Sequence, residues 1–211
     1  MQKRVLLLLA EGFEEVEAVT PIDYLRRAGI EVTVAAAGSN YGKKSLAVKG
    51  SHGIEVIADA ALNDLLLKEE MLEEGMEEGK LKLSAWDAVV VPGGGQGSDN
   101  LASSKETGVF LKAMAEAGKL VCAICAAPAR VLSPLGLLTG KKFTCFPGEE
   151  EKVMAPSSAS QGAQWMQERV VVDGNLITSR GAGSAGEFAC AVIGKLVGEE
   201  EGKKLAERVL L

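Results

Sequence analysis

Short apolar runs alternate with amphipathic stretches along most of the chain. Apolar runs of four to eight residues bounded by turn residues predict buried strands, and apolar positions three and four apart predict helices. The predicted strands are Val5–Leu9, Ile30–Ala37, Ala85–Val91, Leu120–Ile124, Arg169–Val172 and Leu176–Thr178, with a further extended piece at Gly53–Ala58. The predicted helices are Glu14–Ala28, Leu62–Glu78, Lys105–Ala117, Ala126–Leu132, Glu187–Val197 and Glu200–Val209. This alternation predicts an α/β fold with a mostly parallel sheet covered by helices on both faces.

Composition and charge narrow the class of protein. The 211 residues are 47% hydrophobic, which suffices for one core, and no linker divides the chain, so we expect a single domain over 1–211. The net charge is -6 and no basic stripe exists, which argues against a nucleic-acid partner. The apolar start meets Glu11 too early for a signal peptide, and no run approaches 18 apolar residues. We therefore expect a cytoplasmic protein without a membrane partner, whose four cysteines are reduced.

One segment is strongly acidic. Residues 68–80 carry six glutamates, while leucines and methionines recur at helical spacing within and before them. We interpret the stretch near 68–83 as an insertion that lengthens a solvated helix. A surface for a specific partner is the alternative.

Cys125 occupies the most informative position. It follows the predicted strand Leu120–Ile124 and precedes small residues and Pro128, which are typical of a helix start. At such a junction the sulfur points into the crevice at the carboxyl end of the sheet, and the following helix favours thiolate over thiol. This is the arrangement of a nucleophile elbow with sulfur in place of oxygen. A buried structural cysteine is the alternative, and the local sequence leaves both open.

A glycine-rich loop, residues 91–97, follows another predicted strand. Its glycines do not have the G-x-G-x-x-G spacing of a dinucleotide-binding loop, and no P-loop lysine follows, so we expect no nucleotide cofactor. If the loop lies beside Cys125, its N–H groups and that of Ala126 can form an oxyanion hole. A plain turn is the alternative.

The remaining candidate residues each have a structural alternative. Cys122 and Cys125 match C-x-x-C, but Cys122 lies within the strand, and no second pair stands at metal spacing, so we expect neither a redox disulfide nor a metal. Glu17 is one of four carboxylates after the first strand, where it either caps the helix or acts as a buried, protonated partner of the thiol. His52, the single histidine, either lies in a solvated loop or serves a Cys-His mechanism. Pro21 predicts a kink or a restart in the first helix.

Five segments together resemble the ThiJ/PfpI superfamily, in its DJ-1 branch. They are residues 10–17 (AEGFEEVE), 21–29 (PIDYLRRAG), 90–94 (VVPGG), 123–128 (AICAAP) and 178–183 (TSRGAG). The match covers nearly the whole chain in order.

The resemblance implies a flavodoxin-like three-layer sandwich that forms a homodimer. It implies that Cys125 is the elbow cysteine, that Glu17 is its protonated partner, and that Gly94 and Ala126 supply backbone donors. It also gives candidate pocket residues, which are Gly93, His52, Arg27, Phe146 and Arg180. Relative to this branch, the acidic stretch near 68–83 resembles an insertion.

Three positions depart from the pattern of the superfamily. Many members have histidine near the position where this chain has Phe146, so we expect no Cys-His dyad there in this chain. The protease-like members have histidine directly after the cysteine, where this chain has Ala126, which argues against peptidase activity. His52 stands where the branch often has arginine, near the dimer interface and the pocket.

The resemblance implies a cofactor-independent glyoxalase or deglycase. Such an enzyme acts on methylglyoxal, glyoxal, or glycated thiols and amines through the Cys125 thiolate, with Glu17 moving the proton. The alternative is a sensor or chaperone that responds to oxidation of Cys125, with Glu17 stabilising a sulfinate. A cysteine peptidase or amidase is a third, weaker hypothesis.

Overall fold

The structure is a computed structural model that describes residues 2–38, 45–67 and 85–211. The predicted helix Leu62–Glu78 begins where expected, and its described part is Leu62–Leu67. The predicted acidic insertion near 68–83 lies outside the described residues.

The strands and helices follow one another along the chain. The strands are β1 (Arg4–Leu9), β2 (Glu31–Ala36), β3 (Ala47–Lys49), β4 (Glu55–Ile57), β5 (Ala60–Ala61), β6 (Ala88–Val91), β7 (Leu120–Ile124), β8 (Lys142–Phe143), β9 (Gln164–Trp165), β10 (Val170–Asp173) and β11 (Leu176–Ser179). The helices are α1 (Glu15–Arg27), α2 (Leu62–Leu67), α3 (Gly95–Ser103), α4 (Lys105–Glu116), α5 (Glu150–Met154), α6 (Ala185–Val197) and α7 (Glu199–Arg208). A π-helix at Pro128–Leu132 leads into a 3-10 turn at Ser133–Leu135, and a second 3-10 turn covers Ala182–Ser184.

A central sheet of seven strands organises the fold, in the order β10-β11-β7-β6-β1-β2-β5. Its neighbouring strands are parallel except at the β10–β11 edge, which is antiparallel. The predicted mostly parallel α/β sandwich is therefore confirmed. β3 pairs with β4, and β8 pairs with β9, in two small separate sheets.

Apolar side chains on both faces of the central sheet form two cores. Along β1, Leu6 and Leu8 belong to one core, and Val5, Leu7 and Leu9 to the other. Successive side chains of a strand point to opposite faces, so a continuous apolar run requires cover on both sides. Residues of α4 cover the first face, and residues of α1 and α6 cover the second.

Two sequence expectations change in detail. α1 continues through Pro21 as one helix rather than restarting there. α3 is a helix that the glycine-rich sequence did not predict, although it stands where the loop after β6 enters the layer of helices.

Parallel strands place their carboxyl ends at one edge of a sheet, so the segments that follow β1, β6, β7 and β11 meet there. Those segments carry the candidate chemistry. No helix within the described ranges is long and apolar enough to cross a membrane.

Candidate functional site

Cys125 stands on a tight turn directly after β7. Its φ is 65°, which is uncommon for a residue other than glycine. Its N–H donates to the carbonyl of Ser179 at 2.9 Å, and its own carbonyl accepts from Phe146 N at 2.8 Å. Such a backbone costs about 1–3 kcal/mol and persists only where the surroundings hold it. The two hydrogen bonds supply part of that hold, and the side chain is half-buried.

Glu17 approaches Cys125 from the first turn of α1. Glu14 is the N-cap and accepts a hydrogen bond from Glu17 N at 2.8 Å, so capping falls to Glu14 and leaves the Glu17 side chain free for another use. Glu17 is only 1% exposed. Its Oε2 accepts from Gly93 N at 3.0 Å. Its Oε1 is buried, and the carboxyl also interacts with the Cys125 thiol and with the Ala182 backbone.

Residues from four segments converge at this point. A Cβ placed on Gly181 would stand 3.6 Å from Phe146 Cδ2, 3.8 Å from Glu17 Oε1 and 4.0 Å from Cys125 Sγ. The segments after β1, β7, β8 and β11 therefore meet here, and the segment after β6 joins them through the hydrogen bond from Gly93 N to Glu17. Such a convergence is expected at the carboxyl edge of a parallel sheet.

The contact between carboxyl and thiol depends on the absence of a side chain at Gly93. A Cβ there would stand 2.5 Å from Glu17 Oε2 and 2.6 Å from Cys125 Cβ, well inside van der Waals contact. Any larger residue would force the two groups apart.

The two groups titrate together because they share a buried space. Burial raises the pKa of Glu17 to about 7, against hydrogen bonds from the Cys125 thiol and the Gly93 backbone that lower it. Burial, the charge of Glu17 and the hydrogen bond to it raise the pKa of the Cys125 thiol to about 12, while the backbone N–H groups of Gly94 and Ala126 lower it.

This result corrects the expectation that the site simply favours the thiolate. Burial and an ionised Glu17 outweigh the two backbone donors, and the segment after Cys125 is a π-helix of five residues rather than a regular α-helix. When Glu17 carries a proton, its charge no longer opposes the thiolate, and its hydroxyl can donate to sulfur. The pair is therefore suited to hold one negative charge between two groups.

A second carboxyl, Glu15, serves a different purpose. Its Oε1 accepts from His52 N at 2.6 Å and from Ile54 N at 3.4 Å, and its Oε2 lies 2.8 Å from His52 Nδ1. Burial by itself raises the pKa of Glu15. The hydrogen bonds from the side chain and backbone of His52 outweigh burial, so the pKa falls to about 2. The same contacts raise the pKa of His52. Glu15 thus anchors α1 to the turn between β3 and β4.

His52 is exposed, and its ion pair with Glu15 places it at the side of α1 away from Cys125, because residues two apart on a helix face different directions. Single ligand atoms of Glu14, Glu15 and His52 lie within 4.8 Å of one another, the spacing of a metal site. However, both oxygens of Glu15 already accept hydrogen bonds, and so does Glu14 Oε2. These contacts fit a carboxylate–imidazolium pair.

The other predicted pocket residues differ in position. Arg27 pairs with Asp23 at 2.7 Å in the last turn of α1, about 15 Å along the helix from Glu17, so it does not reach this pocket within one chain. Arg180 adjoins Gly181 and donates to the carbonyl of Gln167. All four cysteines are free, and Cys122 is fully buried in β7.

Sequence reasoning missed one group of residues near the site. Arg130 of the π-helix bonds to Glu149 and to Asp99 of α3, which stand 19 and 31 positions away. The sequence does not predict such a contact, because charged residues at these positions are expected on the solvent-exposed surface.

Comparison with known proteins gives a consistent result. The sequence profile of the DJ-1/PfpI family matches residues 3–195. Protein DJ-1 homolog B of Arabidopsis thaliana is 39% identical over 208 residues, which are 99% of this chain, and the chain spans 41% of that protein's length. Glutathione-independent glyoxalase DJR-1.2 of Caenorhabditis elegans is 30% identical over 211 residues, which are 100% of this chain and cover 97% of the worm protein. The crystal structure of Drosophila melanogaster DJ-1beta superposes with a TM-score of 0.82 at 36% identity, covering 100% of this chain and 99% of that one.

Motifs, fold and full-length relatives thus agree, and the chain belongs to the DJ-1/PfpI family.

Proposed function

We propose that this protein is a cofactor-independent glyoxalase that converts methylglyoxal or glyoxal to the corresponding hydroxy acid. One observation carries the proposal. A buried carboxyl with a pKa near 7 touches a half-buried thiol on a strained turn, and two backbone N–H groups point at the same sulfur. A general acid–base group works best when its pKa lies near the working pH, so Glu17 suits proton transfer at neutral pH.

The first step is addition of sulfur to the aldehyde. Cys125 Sγ bonds to the aldehyde carbon while the thiol proton passes to the Glu17 carboxylate and the C=O π bond breaks. The resulting oxyanion accepts hydrogen bonds from the Gly94 and Ala126 N–H groups and then takes the proton from Glu17, which gives a hemithioacetal and returns Glu17 to the carboxylate. A thiol with a raised pKa can attack in this way because its proton has an acceptor in contact.

The second step moves a proton between adjacent carbons. Glu17 removes the proton from the carbon bonded to sulfur and returns it to the neighbouring carbonyl carbon, while the hydroxyl proton passes from the first oxygen to the second, which forms a 2-hydroxyacyl thioester. Water then cleaves the thioester to lactate and regenerates the thiol. Methylglyoxal plus water equals lactic acid, so no external oxidant, reductant or cofactor is needed.

The worm relative supports this proposal, because its name records glutathione-independent glyoxalase activity. A deglycase reaction on glycated thiols or amines would use the same sulfur attack, and it remains a second substrate class for the same site. The homodimer and the cytoplasmic location stay predictions.

Lactate formation from methylglyoxal, without added glutathione or metal, tests the proposal. We expect turnover by the wild type and a loss of at least a hundredfold in Cys125→Ser, because the hydroxyl is a far weaker nucleophile. Cys190→Ser is the matched control, since Cys190 is also a half-buried free thiol but lies on α6.

Two results would overturn the proposal. One is substantial turnover by Cys125→Ser. The other is no turnover by a folded wild type whose Cys125 is confirmed as reduced. The second result would favour the redox alternative, in which the Gly94 and Ala126 donors and a protonated Glu17 stabilise a sulfinate on Cys125.

A further inference from the structure

Arg130 lies in the π-helix that follows Cys125 and joins three segments that surround this cysteine. Its Nε and Nη2 donate to Glu149 Oε2 and Oε1 at 3.0 and 2.6 Å. Its Nη1 donates to Asp99 at 3.1 Å and to the carbonyl of Gly95 at 3.3 Å. All three guanidinium nitrogens are thus engaged, and this planar two-pronged geometry is one that lysine cannot reproduce.

Glu149 is the last residue of a turn that carries Phe146, the aromatic residue at the wall of the pocket around Cys125. Phe146, Pro147, Gly148 and Glu149 form a β-turn, in which Glu149 N donates to Phe146 O at 3.0 Å and Gly148 has a φ of +92°. Proline and glycine at the two central positions are typical of a type II turn. Phe146 N donates to Cys125 O at 2.8 Å. The turn is therefore fixed to the elbow at its first residue and to Arg130 at its last.

The other partners of Arg130, Gly95 and Asp99, belong to α3. Gly95 is the first residue of α3 and follows Gly94, whose N–H points at the Cys125 sulfur. One guanidinium thus connects the start of α3, the helix that follows the elbow, and the turn bearing Phe146. The Phe146 ring is about half exposed and stands at the point where Glu17 and Cys125 meet.

We propose that Arg130 is a positioning residue that holds the Phe146 wall and the Gly94 donor around Cys125, and thereby restricts the pocket to small aldehydes. The substrate class in this statement rests on the proposed function. The positioning does not, because it concerns only the shape of the site around the thiol. Arg130 itself need not touch the substrate.

A comparison of two thiol reagents measures this shape without any turnover. N-ethylmaleimide and N-phenylmaleimide react by the same chemistry but differ in bulk, so the ratio of their rate constants cancels the thiolate fraction. The rate at Cys125 is followed by mass spectrometry of its peptide, which separates it from the other cysteines. We expect the phenyl-to-ethyl ratio to rise at least fivefold in Arg130→Lys and in Glu149→Gln, because the Phe146 turn loses its anchor.

Controls separate positioning from general stability. Arg4→Lys is the matched control, because Arg4 also pairs with a glutamate, Glu31, and lies over the Trp86 ring, but it begins β1 at the opposite edge of the sheet. Thermal melting confirms that each variant is folded. The double variant Arg130→Lys/Glu149→Gln should show no higher ratio than Arg130→Lys alone, because both substitutions break the same Arg130–Glu149 pair.

Methylglyoxal kinetics complete the test. We expect kcat to fall about tenfold in Arg130→Lys with KM changed less than threefold, since misplacement of the donors affects the transition state more than binding. An unchanged maleimide ratio in both folded single variants, or an equal rise in Arg4→Lys, would overturn the inference. Absence of turnover in the wild type would defeat the proposed function alone and leave the ratio to decide the role of Arg130.

Discussion

Glu15 and Glu17 lie two residues apart in the first turn of α1, and both are less than 5% exposed. Their pKa values nevertheless move in opposite directions, to about 2 for Glu15 and to about 7 for Glu17. Glu15 accepts hydrogen bonds on both oxygens from the turn at Ser51–Ile54. Glu17 accepts one from the backbone at Gly93, and its other oxygen faces a thiol.

The difference shows that burial alone does not decide the protonation of a carboxyl. A buried carboxylate with enough donors stays ionised, while one with few donors keeps its proton. Two glutamates of one helical turn can therefore have different roles, one holding the helix in place and the other exchanging protons. Removal of each charge should then affect a different property.

The largest expected effect is on turnover. Glu17→Gln should lower kcat for methylglyoxal about a thousandfold, because glutamine cannot carry a proton between carbons. Addition of Cys125 to the aldehyde should still be detectable by mass spectrometry. Glu15→Gln is the control and should keep kcat within threefold. A near-normal kcat in Glu17→Gln would contradict the role of Glu17 in proton transfer.

The next effect is a gain in stability. The difference between the ordinary glutamate pKa of 4.5 and the folded-state pKa of about 7 corresponds to roughly 3 kcal/mol of unfolding free energy. Because the folded-state pKa of Glu17 is raised, the wild type loses stability as pH rises from about 4.5 to about 7. Glu17→Gln should therefore be more stable than the wild type by up to about 3 kcal/mol at pH 8, and nearly equal to it at pH 4.

Urea unfolding at the two pH values measures that difference. Equal stabilities at pH 8 would mean that Glu17 is not held protonated by its surroundings, and the comparison with Glu15 would fail.

A smaller effect of opposite sign belongs to Glu15. Glu15→Gln should destabilise the fold by about 2 kcal/mol at pH 7, because the N–H donors of the Ser51–Ile54 turn lose a charged acceptor. The folded-state pKa of Glu15 is lowered, so this contribution is present above about pH 4.5 and is lost as pH falls towards 2. Unfolding curves at pH 7 and pH 3 should show the gap between variant and wild type narrowing. A gap as large at pH 3 as at pH 7 would assign the loss to packing instead of charge.

The sequence predicts the sheet and the main reactive junction well, for physical reasons. The strands β6 and β7 are continuous apolar runs, and so is β1 after Arg4, which is typical of strands buried on both faces. Cys125 lies between one such run and a proline-containing helix start, so its place at the carboxyl edge follows from local pattern.

Other features depend on contacts that no local pattern encodes. α3 begins with glycine and has few apolar residues, yet it forms where Gly97 packs closely against Phe13. The pKa of Cys125 rises because the thiol is buried and Glu17 packs against it, and the Arg130–Glu149 pair joins residues 19 positions apart. The direction of a pKa shift, unlike the place of a strand, requires knowledge of which groups meet in space.

Gly93 has a consequence for the way genomes are interpreted. A single methyl group added at position 93 would clash with Glu17 Oε2 and with Cys125 Cβ, so it would displace the carboxyl or the cysteine while leaving both residues in the sequence. A search that scores only Cys125 and Glu17 would still count such a chain as active. A gene product could thus lose this activity yet keep every reactive side chain, and the residue at position 93 would be the only record of the change.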